Sequence, residues 1–424
     1  MKKKMKIAYI VGSFPHVSET FILNQVTGLL ALGNEVDVYA DMMADDSDMR
    51  HVFEVTGGRL RIYRRPRQPR GVVFRLVKAL ALIMTNFHKG PLLILRSLNF
   101  LRYGRAASSL HLFYDTVACL GQPRRYDAIH CHFGTSGIRG MWLRKIGALR
   151  GKLITTFHGF DATKYVLESG SHVYDQLFEE GDLFLPISEF LKNRLVEMGC
   201  QRDKIVVHRM GVDCSKFMFK PRMLRTDKHV HLISIARLVE KKGLEYAIRA
   251  IGKMVGRGLH IEYQIVGDGP LRRQLEELVK RESLTDVVHI LGWRSHDEVV
   301  HLLDEAHILL APSVTGADGD QEGIPVVLME AMAQGLPVVS TLHSGIPELV
   351  EDSVSGFLVP ERDIDGLAKK LRYLIEHPHL WPEFGRRGRE CVEKNHNIEV
   401  LNSQLVEIFQ GKRLYNNLNA HRIP

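Results

Sequence analysis

A chain of 424 residues, 45% hydrophobic and 25% charged, has the composition of an ordinary globular protein and is too long for a single comfortable core, so two domains are expected. The five cysteines, Cys119, Cys131, Cys200, Cys214 and Cys391, form no CxxC pair, which argues against a disulfide framework or a zinc site and fits a reducing cytoplasm. The formal net charge of +8 is unevenly placed, and no run of about 18 apolar residues is uninterrupted, so no bilayer-spanning helix is expected.

In chain order, the opening MKKKMKIAYIVGSFP has a basic head, but its apolar run stops at Gly12 without a small-residue cleavage site. It reads as a first β-strand, KIAYIV (6–11), followed by a second, EVDVYA (35–40). Between residues 55 and 114 there is no Asp or Glu against twelve Lys and Arg, beginning with RLRIYRRPRQPR at 59–70. The GVVFRLVKALALIMTNFHKGPLLILRSLNFLRYGR that follows sets cations among apolar runs, the composition of helices lying in a membrane interface. The competing reading is a solvated basic loop followed by core helices; nucleic acid is a weaker third, since no binding motif accompanies the charge. Further strand-like runs are 127–133, 152–158, 183–188 and KIVVHRM (204–210). After an interruption at 211–229 a second series follows at 231–237, 261–267, 287–293, 307–313, 337–341 and 356–360. Strands alternating with helices predict two doubly wound parallel sheets, with ligands in the cleft between them beyond the carboxyl ends of the strands.

Those ends hold the candidate chemistry. Arg237 and Lys242 flank the loop between the strand HLISIAR and the helix LEYAIRAI, a fork and a point charge suited to a diphosphate, or equally a solvated turn. The glycines of VGDGP, Gly267 and Gly269, are weak evidence for phosphate and fit turn chemistry as well. In QEGIPVVLMEAMAQG, Glu322 precedes a helix that opens at Pro325, and Glu330 lies about one and a half turns into it. A carboxylate on so apolar a helix needs a partner, a cleft or an Arg. Two acids could grip two sugars, one at each end of a diphosphate seated on the helix N-terminus.

The pattern EGIPVVLME, with AMAQGLPVVST, GIPEL, GFLVP, IARLVEKKG and IVGDGP, resembles the family 4 retaining glycosyltransferases of the GT-B fold, two Rossmann-like domains facing each other across a cleft. SFPHVSETFILNQVTGLLALGNEVDVYA, HCHFG and TFHGFD resemble the subgroup that builds bacterial exopolysaccharides of the colanic acid or amylovoran type. The resemblance implies an acceptor domain over 1–215, a nucleotide-sugar donor domain over 216–395, and a C-terminal helix within 396–424 that crosses back. Arg237 and Lys242 would bind the donor diphosphate, Glu330 the ribose hydroxyls, and Glu322 the donor sugar, with the backbone of Gly323, Ile324, Pro325, Val326 and Val327 approaching the sugar and phosphates. His158 would reach the donor sugar, Gly12 would let the backbone approach the phosphates, and Trp293 would lie by the base or in the core. The mechanism so implied retains anomeric configuration without a metal or other cofactor. The partners are a nucleotide-sugar donor, a lipid-linked glycan acceptor and the inner face of an anionic membrane, reached from the cytoplasm.

Three local alternatives accompany this reading. Asp318-Gly319-Asp320 looks like a manganese-binding triplet of another glycosyltransferase fold. His130 and His132 share one strand face like a metal pair, though no third ligand is evident, and an acceptor-site or packing role is read instead, with His132 the acceptor candidate. His16 and Glu19 are also candidates for the acceptor, beside Ser18 as a helix N-cap. At the level of the whole chain, the rivals are a transferase with a soluble acceptor, a nucleotide-sugar epimerase on the same fold, and a basic membrane-binding scaffold without activity.

Overall fold

The computed structural model describes residues 4–15, 20–43, 52, 56–122, 125–224, 229–255 and 260–412. The first sheet comprises β1 (Lys6–Phe14), β2 (Glu35–Met43), β3 (Arg61–Arg64), β4 (Arg125–His132), β5 (Arg150–Phe157) and β6 (Leu183–Pro186), in the order β3-β2-β1-β4-β5-β6. The second comprises β7 (Val230–Ile235), β8 (Ile261–Val266), β9 (Val288–Gly292), β10 (Ile308–Ala311), β11 (Val338–Thr341) and β12 (Gly356–Val359), in the order β12-β11-β10-β7-β8-β9. Every pairing is parallel, and the second order read from its other end repeats the first. Residues 7–11 of β1 are wholly buried, as expected of a central strand covered by helices on both faces.

Two strand expectations are corrected. KIVVHRM is not a strand: of its own residues only Ile205 makes an isolated bridge, to Phe184. The sixth strand of the first sheet is RIYR of the basic burst, β3, paired with β2 from Asp37 opposite Arg61 to Ala40 opposite Arg64. An edge strand has one solvated side, so arginines are tolerated there and the charge run conceals the strand.

The segment after β3 forms helices Val72–Asn86, Pro91–Ser97 and Phe100–Ser108. The first of these buries only Ala79, so it is not a core helix. Val72, Val73, Phe74, Leu76, Val77, Leu80 and Met84 are each more than half exposed, and Leu101 is 88% exposed. Among the described residues, no helix is long and apolar enough to cross a membrane.

Helix Ile398–Phe409 returns to the first sheet's side, where Leu405, Val406, Ile408 and Phe409 share a core with Ile22, Val26, Leu29 and Leu30 of helix Thr20–Ala31. The return is tied by a bridge from Val212 to Asn397 and by the His396 ring against the Met210 carbonyl, 2.8 Å away.

In both sheets the strand order reverses beside the central strand, between β1 and β4 and between β7 and β10. A doubly wound sheet opens a crevice at this switch point. The loops after these strands therefore carry the candidate site.

Candidate active site

Beyond β7 the chain passes exposed Arg237, turns through Glu240–Lys242 and enters helix Leu244–Gly252. Lys242 Nζ lies 2.9 Å from Glu322 Oε1, and Lys241 Nζ lies 3.0 Å from Asp320 and 3.9 Å from Glu322. Burial alone would raise the Glu322 carboxyl; Lys242 and then Lys241 overcome it and hold the group below its ordinary value. Behind Glu322, its backbone N–H donates to His343 Nε2 at 3.1 Å. With Nε2 accepting, His343 Nδ1 carries the proton toward Glu361, 2.6 Å away, which also accepts the Thr315 N–H and hydroxyl. Glu322 is thus tied through its backbone to a chain of hydrogen-bonded polar groups, His343, Glu361 and Thr315.

Helix Val326–Ala333 begins after Pro325, whose extended backbone (φ −62°, ψ 123°) suits an N-cap. No side chain caps it, so its first N–H groups, at the positive end of the helix dipole, have no side-chain acceptor. Leu328, Met329 and Met332 anchor its inner face, while Val326 and Val327 remain partly exposed. Glu330 lies on this helix with no ion pair among the described residues, and burial pushes its carboxyl up to about 7.

Across the crevice, His158 follows β5. Its ring packs against Phe21 and Phe133, with centroids 4.8 and 4.6 Å away, and its Nε2 is 2.9 Å from His132 Nδ1. Burial holds His158 down to about 3, so the ring is neutral at neutral pH. The two halves meet here: a Cβ placed on Gly323 would lie 2.1 Å from the His158 carbonyl oxygen. Glycine at 323 is required by this approach, which carries Glu322 up to His158.

The remaining sequence candidates divide. Gly12 is exposed within β1, two residues before the strand's last residue Phe14, and a Cβ there would meet no other protein atom within 4 Å. Arg139, buried on helix Gly134–Lys145, supports the strand beside it by donating to the Val11 carbonyl at 3.3 Å. Trp293 follows β9 and is 60% exposed, so its side chain is not core. Of the acceptor and packing roles open to His132, burial favours packing: it is fully buried, with one ring nitrogen on His158 and the other 3.0 Å from Gln25 Oε1. It supports His158 from behind because its strand face points into the domain. His130 is likewise buried, 2.8 Å from the Thr156 hydroxyl. The carboxylates of the DGD triplet are ion-paired, Asp318 with Lys164 at 2.7 Å and Asp320 with Lys241. Gly267 serves the backbone, since a Cβ there would lie 1.9 Å from the Ala236 carbonyl oxygen. His16 and Glu19 lie outside the described residues.

The family model described as Glycosyl transferases group 1 matches residues 218–391, and that described as Glycosyltransferase Family 4 matches residues 83–216. A glycosyltransferase assigned to colanic acid biosynthesis in Escherichia coli K12 is 42% identical over 414 residues, covering 96% of this chain and all of that protein. The chain belongs to this glycosyltransferase family. The amylovoran biosynthesis glycosyltransferase of Erwinia amylovora is 39% identical over 410 residues, covering 96% of this chain and 99% of that protein. The fold matches that of Anabaena HepE, solved in complex with UDP and glucose, with a TM-score of 0.71 at 17% identity over 96% of this chain and 99% of that one. Two facing six-stranded parallel sheets are the GT-B architecture of these structural neighbours.

In this glycosyltransferase several site residues escape sequence reasoning. Lys241 in the Glu240–Lys242 turn, His343 and Glu361 in the loops after β11 and β12, Lys164 at the start of helix Lys164–Ser169 and Gln25 on helix Thr20–Ala31 come together from separate elements, and their chain spacing carries no periodic signal. Glu348 accepts the N–H groups of Glu189 and Phe190 at 2.9 and 3.0 Å, so a carboxylate of the second half caps helix Glu189–Glu197 of the first. With the Lys164–Asp318 pair and the His158–Gly323 approach, it joins the two halves.

Proposed function

We propose that this glycosyltransferase moves a sugar, with retention and without a metal, from a nucleotide-diphosphate sugar to a lipid-linked glycan in the assembly of a bacterial exopolysaccharide. The observation that carries the reading is the meeting at one crevice of Lys242, Glu322, the uncapped helix Val326–Ala333 with Glu330, and His158. In this reading residues 1–215 form the acceptor half and 216–395 the donor half. Arg237, Lys242 and the N–H groups of the helix bind the diphosphate and stabilise the charge that develops as it departs, where most of the rate enhancement arises. Glu330 accepts the ribose hydroxyls, Glu322 and His158 hold the donor sugar, Gly12 leaves room for the phosphates, and Trp293 flanks the base.

Glu322 is held by ammonium groups at 2.9 and 3.9 Å, and a carboxylate so engaged is a poor nucleophile. This favours front-face attack, in which the acceptor hydroxyl adds to the anomeric carbon as the glycosyl–phosphate bond breaks and the leaving phosphate oxygen takes the hydroxyl proton, over a covalent adduct with Glu322.

The acceptor half is assigned to an anionic membrane surface because the exposed apolar residues of helix Val72–Asn86 adjoin exposed Arg64, Arg67, Arg70, Arg102 and Arg105. A soluble acceptor would leave this face unexplained.

The test is a thermal-shift panel of nucleoside diphosphates and nucleotide sugars, with and without EDTA, on the wild type and Glu330→Ala. A ligand at a hundredfold excess over its Kd adds about 2.7 kcal/mol to the native state. A shift with one diphosphate class, indifferent to EDTA and lost in the variant, is expected; no shift with any nucleotide overturns the donor site.

A further inference from the structure

Behind His158 lies a buried polar chain that the transfer reaction does not touch directly. Gln25 Oε1 sits 2.7 Å from the Tyr9 hydroxyl and 3.0 Å from His132 Nε2, and His132 Nδ1 sits 2.9 Å from His158 Nε2. Tyr9 and His132 are fully buried, Gln25 is 7% exposed, and the Tyr9 and His132 rings stack at 5.5 Å, so the chain has one geometry.

Its hydrogens follow from donor and acceptor chemistry. An amide oxygen only accepts, so the Tyr9 hydroxyl and His132 Nε2 both donate to Gln25. Burial holds His132 well below its ordinary range, so its ring is neutral and a proton on Nε2 leaves Nδ1 as a lone pair. The contact between the two histidines then needs its hydrogen from His158 Nε2. His158, also neutral, is left with an unprotonated Nδ1, which makes no hydrogen bond among the described residues. The aromatic rings of Phe21 and Phe133, both packed against the imidazole, restrict its orientation.

We propose that Gln25, acting through His132, is a positioning residue that fixes the hydrogen-bond polarity of His158, so that the imidazole meets the donor sugar as an acceptor at Nδ1. The proposal rests on the reading of His158 as a donor-sugar contact. Its consequence is specificity: the donor must bring a hydroxyl hydrogen to this point, and a deoxy analogue lacking it leaves the lone pair unmatched.

Two measurements test it. In protein labelled with 15N-histidine, the His158 signals are identified by their loss in His158→Asn. The proton is expected on Nε2 in the wild type, and a mixture of tautomers in Gln25→Met. A proton on Nδ1 in the wild type, or an unchanged tautomer in the variant, overturns the proposal, and the wild-type spectrum decides even if the variant does not fold. In kinetics, Gln25→Met is expected to lower kcat about 10- to 100-fold, as a misaimed contact does. It should add nothing to His158→Ala, because the two act as one unit. If His158→Ala cuts turnover while Gln25→Met alone does not, the relay is refuted and the donor site stands. If His158→Ala leaves turnover intact, the donor-site reading of His158 fails, and the specificity consequence falls with it.

Discussion

Replacing Glu330 by Gln tests the donor site through stability and binding together. The Glu330 carboxyl is raised from its ordinary 4.5 to about 7 by desolvation. Between these values the folded protein holds a proton that the unfolded chain has released, so stability falls as pH rises from 4.5 to 7 and is level above. The rise corresponds to about 3 kcal/mol at pH 8 and under about 1 kcal/mol at pH 5. A neutral amide of the same shape carries no such cost. Glu330→Gln is therefore expected to be more stable than the wild type by about 3 kcal/mol at pH 8, roughly 2–4 °C in Tm for each kcal/mol in a domain of this size. The advantage should shrink toward pH 5. Nucleotide binding moves the other way, because the ionised carboxylate accepts hydroxyls with charge-assisted bonds of about 1.5–3 kcal/mol. The wild-type affinity should rise with pH through 7, and that of the variant should be weaker and flat. Melting curves and calorimetric titrations at pH 5 and 8 measure both. A variant no more stable at pH 8, with nucleotide affinity intact, would refute the assignment of Glu330 as a desolvated ribose acceptor.

Other expectations follow from the same geometry. Lys242→Ala should lower turnover about 100-fold or more by removing a preorganised cation, and destabilise the protein by about 3–5 kcal/mol by leaving Glu322 buried without its nearest partner. Adding Glu322→Gln should restore the melting temperature and not the activity. Gly323→Ala places a methyl 2.1 Å from the His158 carbonyl and must part the two halves. Turnover should fall about 100-fold while diphosphate binding, made by the second half, persists; unchanged turnover would show that this approach is irrelevant to catalysis. Flotation with anionic vesicles should capture the wild type, less so at high salt, and should fail for the Phe74→Asp/Leu101→Asp pair or with zwitterionic vesicles. Equal flotation of wild type and variant would remove the helix Val72–Asn86 face from the membrane reading.

Much of this protein is determined by sequence alone. The apolar strand runs specify two parallel sheets because a strand buried on both faces must be apolar throughout, as residues 7–11 are. The positions of Arg237, Lys242, Glu322 and Glu330 follow from the strand ends and from a helix that opens after Pro325, all of them local features of the chain. The misread pieces are those where local preference is outweighed. RIYR pairs as an edge strand although its arginines hide it, and KIVVHRM runs beside the edge strand β6, donating from Val206 and His208 to the Phe184 and Pro186 carbonyls, but forms only the single bridge at Ile205.

What the tertiary structure alone decided is which distant groups touch. Lys242 and Glu322 are 80 residues apart and meet at 2.9 Å because β7 and β10 are neighbours in the sheet. His132 turns from a candidate surface contact into the support of His158 because β4 and β5 are paired, with His132 opposite Thr156, two residues short of His158. Gln25 enters the same chain from helix Thr20–Ala31, packed over the sheet. Periodicity sets which face of an element is buried, but the partner that covers it is fixed only when the strands take their order. Hence the chemical residue types are legible in the chain, and the hydrogen bonds that aim them are not.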